Sequence, residues 1–288
     1  MTLNLSRLTL AALLAAASLP ALAANAPQEP GAVLRDCKAA CPDMVVLPAG
    51  SFMMGTPEDE VGRQPDEGPL HQVTFAKPFA ISRYQVTAGE WDAYVRESGA
   101  KIANGDTRPG RECKASKPRY KQGPKQPAVC MSYHDVQDYV AWLSKKTGKR
   151  YSLVSEAQRE YAARAGSSGP FPFPMDPDAD YEISRNANVY GPKDGYSYSS
   201  PVGSYPPNDF GVYDMHGNVY EWVADCYHDS YVGAPTDGSA WAEANCDIVS
   251  IRGNDWGEAP IFSRSGNRNN AHSRARGDWL GFRVAREL

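Results

Sequence analysis

Beyond residue 22 the 288-residue chain has no apolar run of the length a membrane span needs. It has no Gly-x-Gly-x-x-Gly segment between a strand pattern and a helix pattern, so neither a flavin nor a nicotinamide cofactor is expected. Basic residues are not in excess: 30 Lys and Arg stand against 34 Asp and Glu, and they are scattered, which excludes a nucleic-acid footprint. The five histidines (His71, His134, His216, His228, His272) show no His-x-His or Glu-x-x-His spacing, so the sequence makes no case for a transition-metal site. Internal repeats and a clear interdomain linker are also missing. Long amphipathic helices are few, while 25 Gly and 23 Pro point to many loops.

What is present begins with Arg7, an apolar stretch from Leu8 to Leu22 broken by Ser18 and Pro20, and the small-x-small run Ala21 to Ala23. This is the pattern of a cleavable secretory signal over residues 1–24. It implies export to the periplasm and no membrane association after cleavage. Residues 25–40 read as a loose, Pro- and Ala-rich leader, and 41–288 as a single domain. Six cysteines fall as three near neighbours. In an oxidising compartment they read as the disulfides Cys37–Cys41, Cys113–Cys130 and Cys226–Cys246.

Residues 44–52 alternate, are β-branched and turn at Pro48, so they read as a strand pair; 56–69 is an acidic surface loop; 71–75 and 79–84 are strands. Thr87 with Glu90 caps a helix that Gly99 ends, and Ser132 caps a second, with Val136, Tyr139, Val140 and Leu143 on one face and Gly148 as its stop. The basic, Pro-rich stretch 104–126 is a long loop. Residues 155–164 form a third helix closed by Gly166, and no helix is expected after it. The fold class is α+β with little regular structure.

The landmarks Val46 to Gly55, Tyr84 to Thr87, Trp91, Val154 to Arg164, Gly211 to Trp222, Arg252-Gly253 and Gly281 to Arg283 resemble the formylglycine-generating enzyme (sulfatase-modifying factor) family. The resemblance implies that family's fold, which is related to C-type lectins. Sulfatase-activating members carry two cysteines after an Arg-Gly-Gly-Ser motif, and these bind copper. Here Glu258 and Ser263 stand at those positions, so soft thiolate ligands are missing and copper chemistry is not expected. The runs Arg252 to Glu258 and Ser265 to Asn269, together with Phe171 to Pro174 and the signal peptide, are similar to exported members that mature the siderophore pyoverdine. That implies oxidation of a dihydropyoverdine chromophore on a peptide siderophore precursor, alongside other periplasmic maturation enzymes.

On this reading Glu258, next to Trp256 and Gly257, is a partly desolvated general base. Trp256 stacks on the chromophore or fills the core. Ser263, Arg268 and Asn269 orient its oxygens or satisfy loop backbone. The family's calcium ligands carry over as Asp214, Gly217, Val219 and Glu221 at one site, and as Asn188, Val189, Asp194 and Tyr196 at another, with a structural role. The competing readings are a non-catalytic, lectin-like scaffold and a copper-dependent sulfatase maturase.

Overall fold

The computed structural model describes residues 28–288 apart from 39, 106–111, 175–178, 192 and 245; for 179–181 it describes the backbone alone. The expected signal peptide lies outside the described residues. In chain order the elements are β1 (Val33–Leu34), β2 (Met44–Leu47), β3 (Gly50–Met54), β4 (His71–Phe75), β5 (Phe79–Ser82), α1 (Ala88–Ser98), β6 (Cys113–Lys114), β7 (Lys117–Pro118), α2 (Tyr133–Thr147), β8 (Tyr151–Leu153), α3 (Glu156–Arg164), α4 (Ala179–Asn186), β9 (Tyr220–Cys226), β10 (Ile248–Arg252), β11 (Arg268–His272), β12 (Leu280–Phe282) and β13 (Val284–Arg286).

A sheet ordered β1-β2-β5-β13-β8 is buried on both faces. Its strands therefore read as continuous apolar runs: every residue of β2 and of β5 is buried. Because successive side chains point to opposite faces, Met44 and Val46 join one core, and Val45 and Leu47 the other. The first core takes Trp91 and Tyr94 from α1 and Tyr139 and Leu143 from α2; the second takes Ala157, Tyr161 and Ala162 from α3. A second sheet, ordered β11-β10-β9-β12, carries the candidate site.

The helix signals are met in detail. Thr87 Oγ1 accepts from Glu90 N, and Glu90 Oε2 accepts from Thr87 N, so both orphan donors are satisfied. Ser132 with Asp135 and Ser155 with Gln158 repeat the device for α2 and α3. Gly99 and Gly148 take the left-handed conformation that a helix stop needs. All three expected disulfides are formed.

Five expectations are corrected. The strands β2 and β3 do not pair with each other: β2 lies between β1 and β5, while β3 pairs with β4, because the turn at Pro48 carries the chain out of the doubly buried sheet. The leader is not loose throughout, since Val33 and Leu34 add an edge strand to β2. The loop 56–69 is not wholly at the surface: Glu67 is fully buried in a single 3-10 turn, where Arg264 and Asn267 donate to its carboxylate. Helix α3 is closed by Ala165 at φ 45°, one residue before the expected glycine. Helix α4 follows Gly166 where none was expected. Inside the long loop, β6 and β7 form a small hairpin tied by Cys113–Cys130.

Candidate functional site

The segment joining β10 to β11 is a loop that fastens to itself. Gly253 and Asn254 both have positive φ and turn the chain sharply after Arg252. Asn254 Nδ2 then donates to Ser263 Oγ (2.7 Å) and to the Ala259 carbonyl (3.2 Å), closing the loop at its base. The Asp255 carboxylate accepts from Gly257 N (2.6 Å). Two outside contacts fix the loop's position: Trp256 N donates to the Asn218 carbonyl and Tyr190 N to the Glu258 carbonyl.

Beneath the loop lies a lattice of buried charge supplied largely by α3. Arg252 donates to Glu156 (2.9 Å), Glu160 (2.6 Å) and the Ser265 carbonyl (2.9 Å). Arg268 donates to Glu156 and to the carbonyls of Asp66 and His228, with its guanidinium 4.3 Å from the Tyr231 ring centroid. Arg264 is held by Glu60 and Glu67. Burial pushes the Glu156 carboxyl up, but the charges of Arg268 and Arg252 outweigh it and hold the group below the usual carboxylate range. Burial and the adjacent Glu156 carboxylate push Asp225 the other way, up to about 7.

Asp225 gives a pH prediction. Its folded-state value lies above the ordinary carboxylate value, so its favourable contribution is complete below about pH 4 and is lost as pH rises towards about 7. Asp225→Asn removes that slope. Chemical denaturation at a series of pH values should show the stability difference moving in favour of the variant across this window, by on the order of a few kcal/mol, and level above it. The constant offset is unfavourable to the variant, because the two oxygens of Asp225 accept from Glu156 N and Trp241 N and an amide has one acceptor.

Two cavities open on this sheet. The larger, about 600 Å³, is walled by Gln64, Asp66, Tyr227, Asp229, Phe262 and Asn267 to Asn270. The smaller, about 330 Å³, is aromatic: Tyr190, Tyr220, Trp256 and Trp279 line it together with Arg119 and Asp278. Tyr220, Glu258, Asn269 and Asn270 belong to both, so the two share a rim. Trp256 is fixed edge-on by Tyr198, at 5.1 Å and 71°. Trp279 is fixed in the same way against Tyr220, at 5.8 Å and 86°.

Of the residues singled out in the sequence, Trp256 lines the smaller cavity, Glu258 and Asn269 stand on the shared rim, and Arg268 lines the larger cavity. Glu258 is exposed at the edge of both cavities, which corrects the expectation of a partly desolvated carboxylate. Ser263 lines neither cavity; it is fully buried and its hydroxyl holds Asn254. Arg268 directs four of its five N–H groups to Glu156 and to the carbonyls of Asp66 and His228. Sequence reasoning missed Tyr220, whose hydroxyl accepts from Asn269 Nδ2 (3.2 Å) and whose phenol burial pushes above its usual range, so it stays a neutral donor. It also missed α3 as the site's foundation. The available signal was Glu156, Arg159, Glu160 and Arg164 at helical spacing within a family landmark.

The two expected calcium sites differ. At the first, the carbonyls of Asp214, Gly217 and Val219 and the Glu221 carboxylate converge on the Gln85 side-chain amide, at 3.0 to 3.4 Å. Arg159 and Arg283 neutralise Glu221. An N–H donor and two guanidinium groups already answer the three carbonyls and the Glu221 carboxylate, while Asp214 Oδ1 is buried without a hydrogen-bond partner among the described residues. At the second, Asn188 Oδ1 is buried without a hydrogen-bond partner among the described residues. The Asp194 carboxylate accepts from Val189 N and Tyr196 N (2.9 Å each) and keeps lone pairs free. This oxygen set fits calcium.

Residues 29–288 match the sulfatase-modifying factor enzyme 1-like domain, and the chain belongs to that family. A solved structure of PvdO from Pseudomonas aeruginosa is similar to it at a TM-score of 0.88 and 74% sequence identity, over 91% of this chain and 100% of that one. The inactive C-alpha-formylglycine-generating enzyme 2 of Bos taurus is 30% identical over 84% of this chain and 87% of its own length. The formylglycine-generating enzyme of Thermomonospora curvata is 28% identical over 63% of this chain and 71% of its own. The family and the α+β fold expected from the sequence are thereby established. Among the described residues no helix is long and apolar enough to cross a membrane.

Proposed function

We propose that this chain is a periplasmic oxidoreductase of pyoverdine maturation, converting the dihydropyoverdine chromophore to the fluorescent, conjugated pyoverdine chromophore. The observation that carries the reading is a carboxylate, Glu258, on the rim of an aromatic cavity, at the position where thiolate-using relatives have a cysteine. The high identity to PvdO, which the sequence resemblance links to this maturation, supports it. Thiol-and-copper chemistry is disfavoured by ligand chemistry, since all six cysteines are in disulfides.

The flat dihydroquinoline stacks between Trp256 and Trp279. The Tyr220 hydroxyl donates to a ring oxygen. The ring loses two electrons and two protons: Glu258 takes one proton, the other passes to solvent, and dioxygen takes up the two electrons and two protons to give hydrogen peroxide. The stacked substrate covers Glu258 and supplies the desolvation that the free protein lacks. In a purified mixture of protein, dihydropyoverdine and oxygen, fluorescence should develop faster than spontaneous oxidation; an unchanged rate favours a non-catalytic scaffold instead.

Calcium belongs to this reading at Asn188 and Asp194, with the Val189 and Tyr196 carbonyls completing the set. Its chemistry is structural: it pins the loop whose Tyr190 N–H holds the Glu258 carbonyl. Chelation should lower the unfolding temperature by several degrees, with recovery on adding calcium and little on adding magnesium. In Asp194→Ala the chelator should have no effect. A chelator-insensitive wild type contradicts the assignment.

A further inference from the structure

The smaller cavity accounts for a flat group and leaves the larger one unexplained. The two meet at Tyr220, Glu258, Asn269 and Asn270, so a ligand seated against Trp256 lies one layer of side chains from the larger cavity. Beside Tyr220, Tyr227 and Phe262, the larger cavity is walled by amides (Gln64, Asn267, Asn270) and carboxylates (Asp66, Asp229), the surroundings of a hydrogen-bonding chain. Its charge is of one sign. Arg268 is turned to Glu156 and to backbone carbonyls, so its cation is answered within the protein. The Asp66 carboxylate accepts from a neutral phenol, Tyr227 (2.8 Å), and Asp229 is exposed.

We infer that the larger cavity is a subsite for a polar, positively charged peptide chain continuous with the flat group in the smaller one. Recognition is then bipartite: the aromatic cavity sets which ring is placed under Glu258, and the acidic cavity selects precursors that still carry their peptide. The inference rests on the proposed function for the identity of the flat group.

The test is a pair of titrations of the full chain, read by quenching of tryptophan fluorescence. One probe is dihydropyoverdine and the other the same dihydroquinoline chromophore without its peptide. Loss of the peptide should weaken binding at least about tenfold. Asp229→Asn should weaken dihydropyoverdine by about threefold and Asp229→Lys by roughly tenfold, with the effect shrinking in high salt. Neither substitution should alter affinity for the bare chromophore. Asp229 is exposed, so both variants should fold, and unchanged thermal unfolding checks this. Equal affinity for the two probes, no binding of either, or Asp229 effects of the same size on both overturns the inference. If the subsite discriminates but the wild type oxidises nothing, the proposed function fails and the subsite stands; if oxidation proceeds and Asp229 is immaterial, the reverse holds.

Discussion

Glu258→Gln should reduce the protein-dependent rate of dihydropyoverdine oxidation by roughly 10²- to 10⁴-fold, the range for removing a general base. The amide keeps the size and hydrogen-bonding reach of the carboxylate but cannot take a proton. Because Glu258 is exposed on the rim, and the loop is fixed through its backbone and through Asn254 and Asp255, the variant should unfold at the same temperature as the wild type. Binding of the precursor should change little, so the loss falls on kcat and not on KM. Glu258→Asp should recover part of the rate, since the base is present but withdrawn by one methylene. A loss carried wholly by KM would give Glu258 a binding role.

The second large effect is on stability. Arg252→Met should destabilise the fold by about 3–5 kcal/mol, the cost of breaking a buried ion pair from one side. Its guanidinium is 1% exposed and bridges Glu156 and Glu160, both buried. Methionine fills the space but leaves Arg268 as the main counter-charge for Glu156 and Arg164 for Glu160. Equilibrium denaturation measures this. The sign with pH is also set: Arg252 is one of the charges that hold the Glu156 carboxyl below its usual range, and without it that carboxyl protonates more readily, so the deficit should narrow as pH falls below about 5. Arg252→Lys should rescue only part of the loss, since one ammonium cannot reproduce the fork that reaches Glu156 and Glu160 together.

The sequence made the local devices legible. The caps at Thr87 and Ser132 and the left-handed stops at Gly99 and Gly148 are written within a few residues of each helix, whereas Ser155, read as the first residue of the third helix, is its cap. The disulfide pairs could be read for the same reason, as near neighbours in the chain. What escaped was set by tertiary context. The alternation of β2 and β3 gives strands but not partners, because pairing depends on which faces are buried. Helix α4 spans only eight residues, too few for a helical period to stand out from the Pro-rich run before it. In the site, Trp256, Glu258 and Asn269 were found by their position in the family motif. The burial of Ser263 and the exposure of Glu258 depend on how the loop folds back through Asn254, which spacing alone does not reveal. Gln85 shows the same limit: nothing in its neighbourhood in the sequence announces that its amide will meet the oxygens of Asp214, Gly217, Val219 and Glu221.

The central claim is that a carboxylate at the mouth of an aromatic cavity drives a two-electron oxidation. The most direct measurement follows fluorescence and hydrogen peroxide together, in air-saturated buffer with purified protein and dihydropyoverdine, for the wild type and Glu258→Gln. The account expects the wild type to produce both in equal amounts well above the protein-free rate, and the variant to fall back to that rate while remaining folded. Wild type and variant oxidising the precursor at the same speed would contradict it.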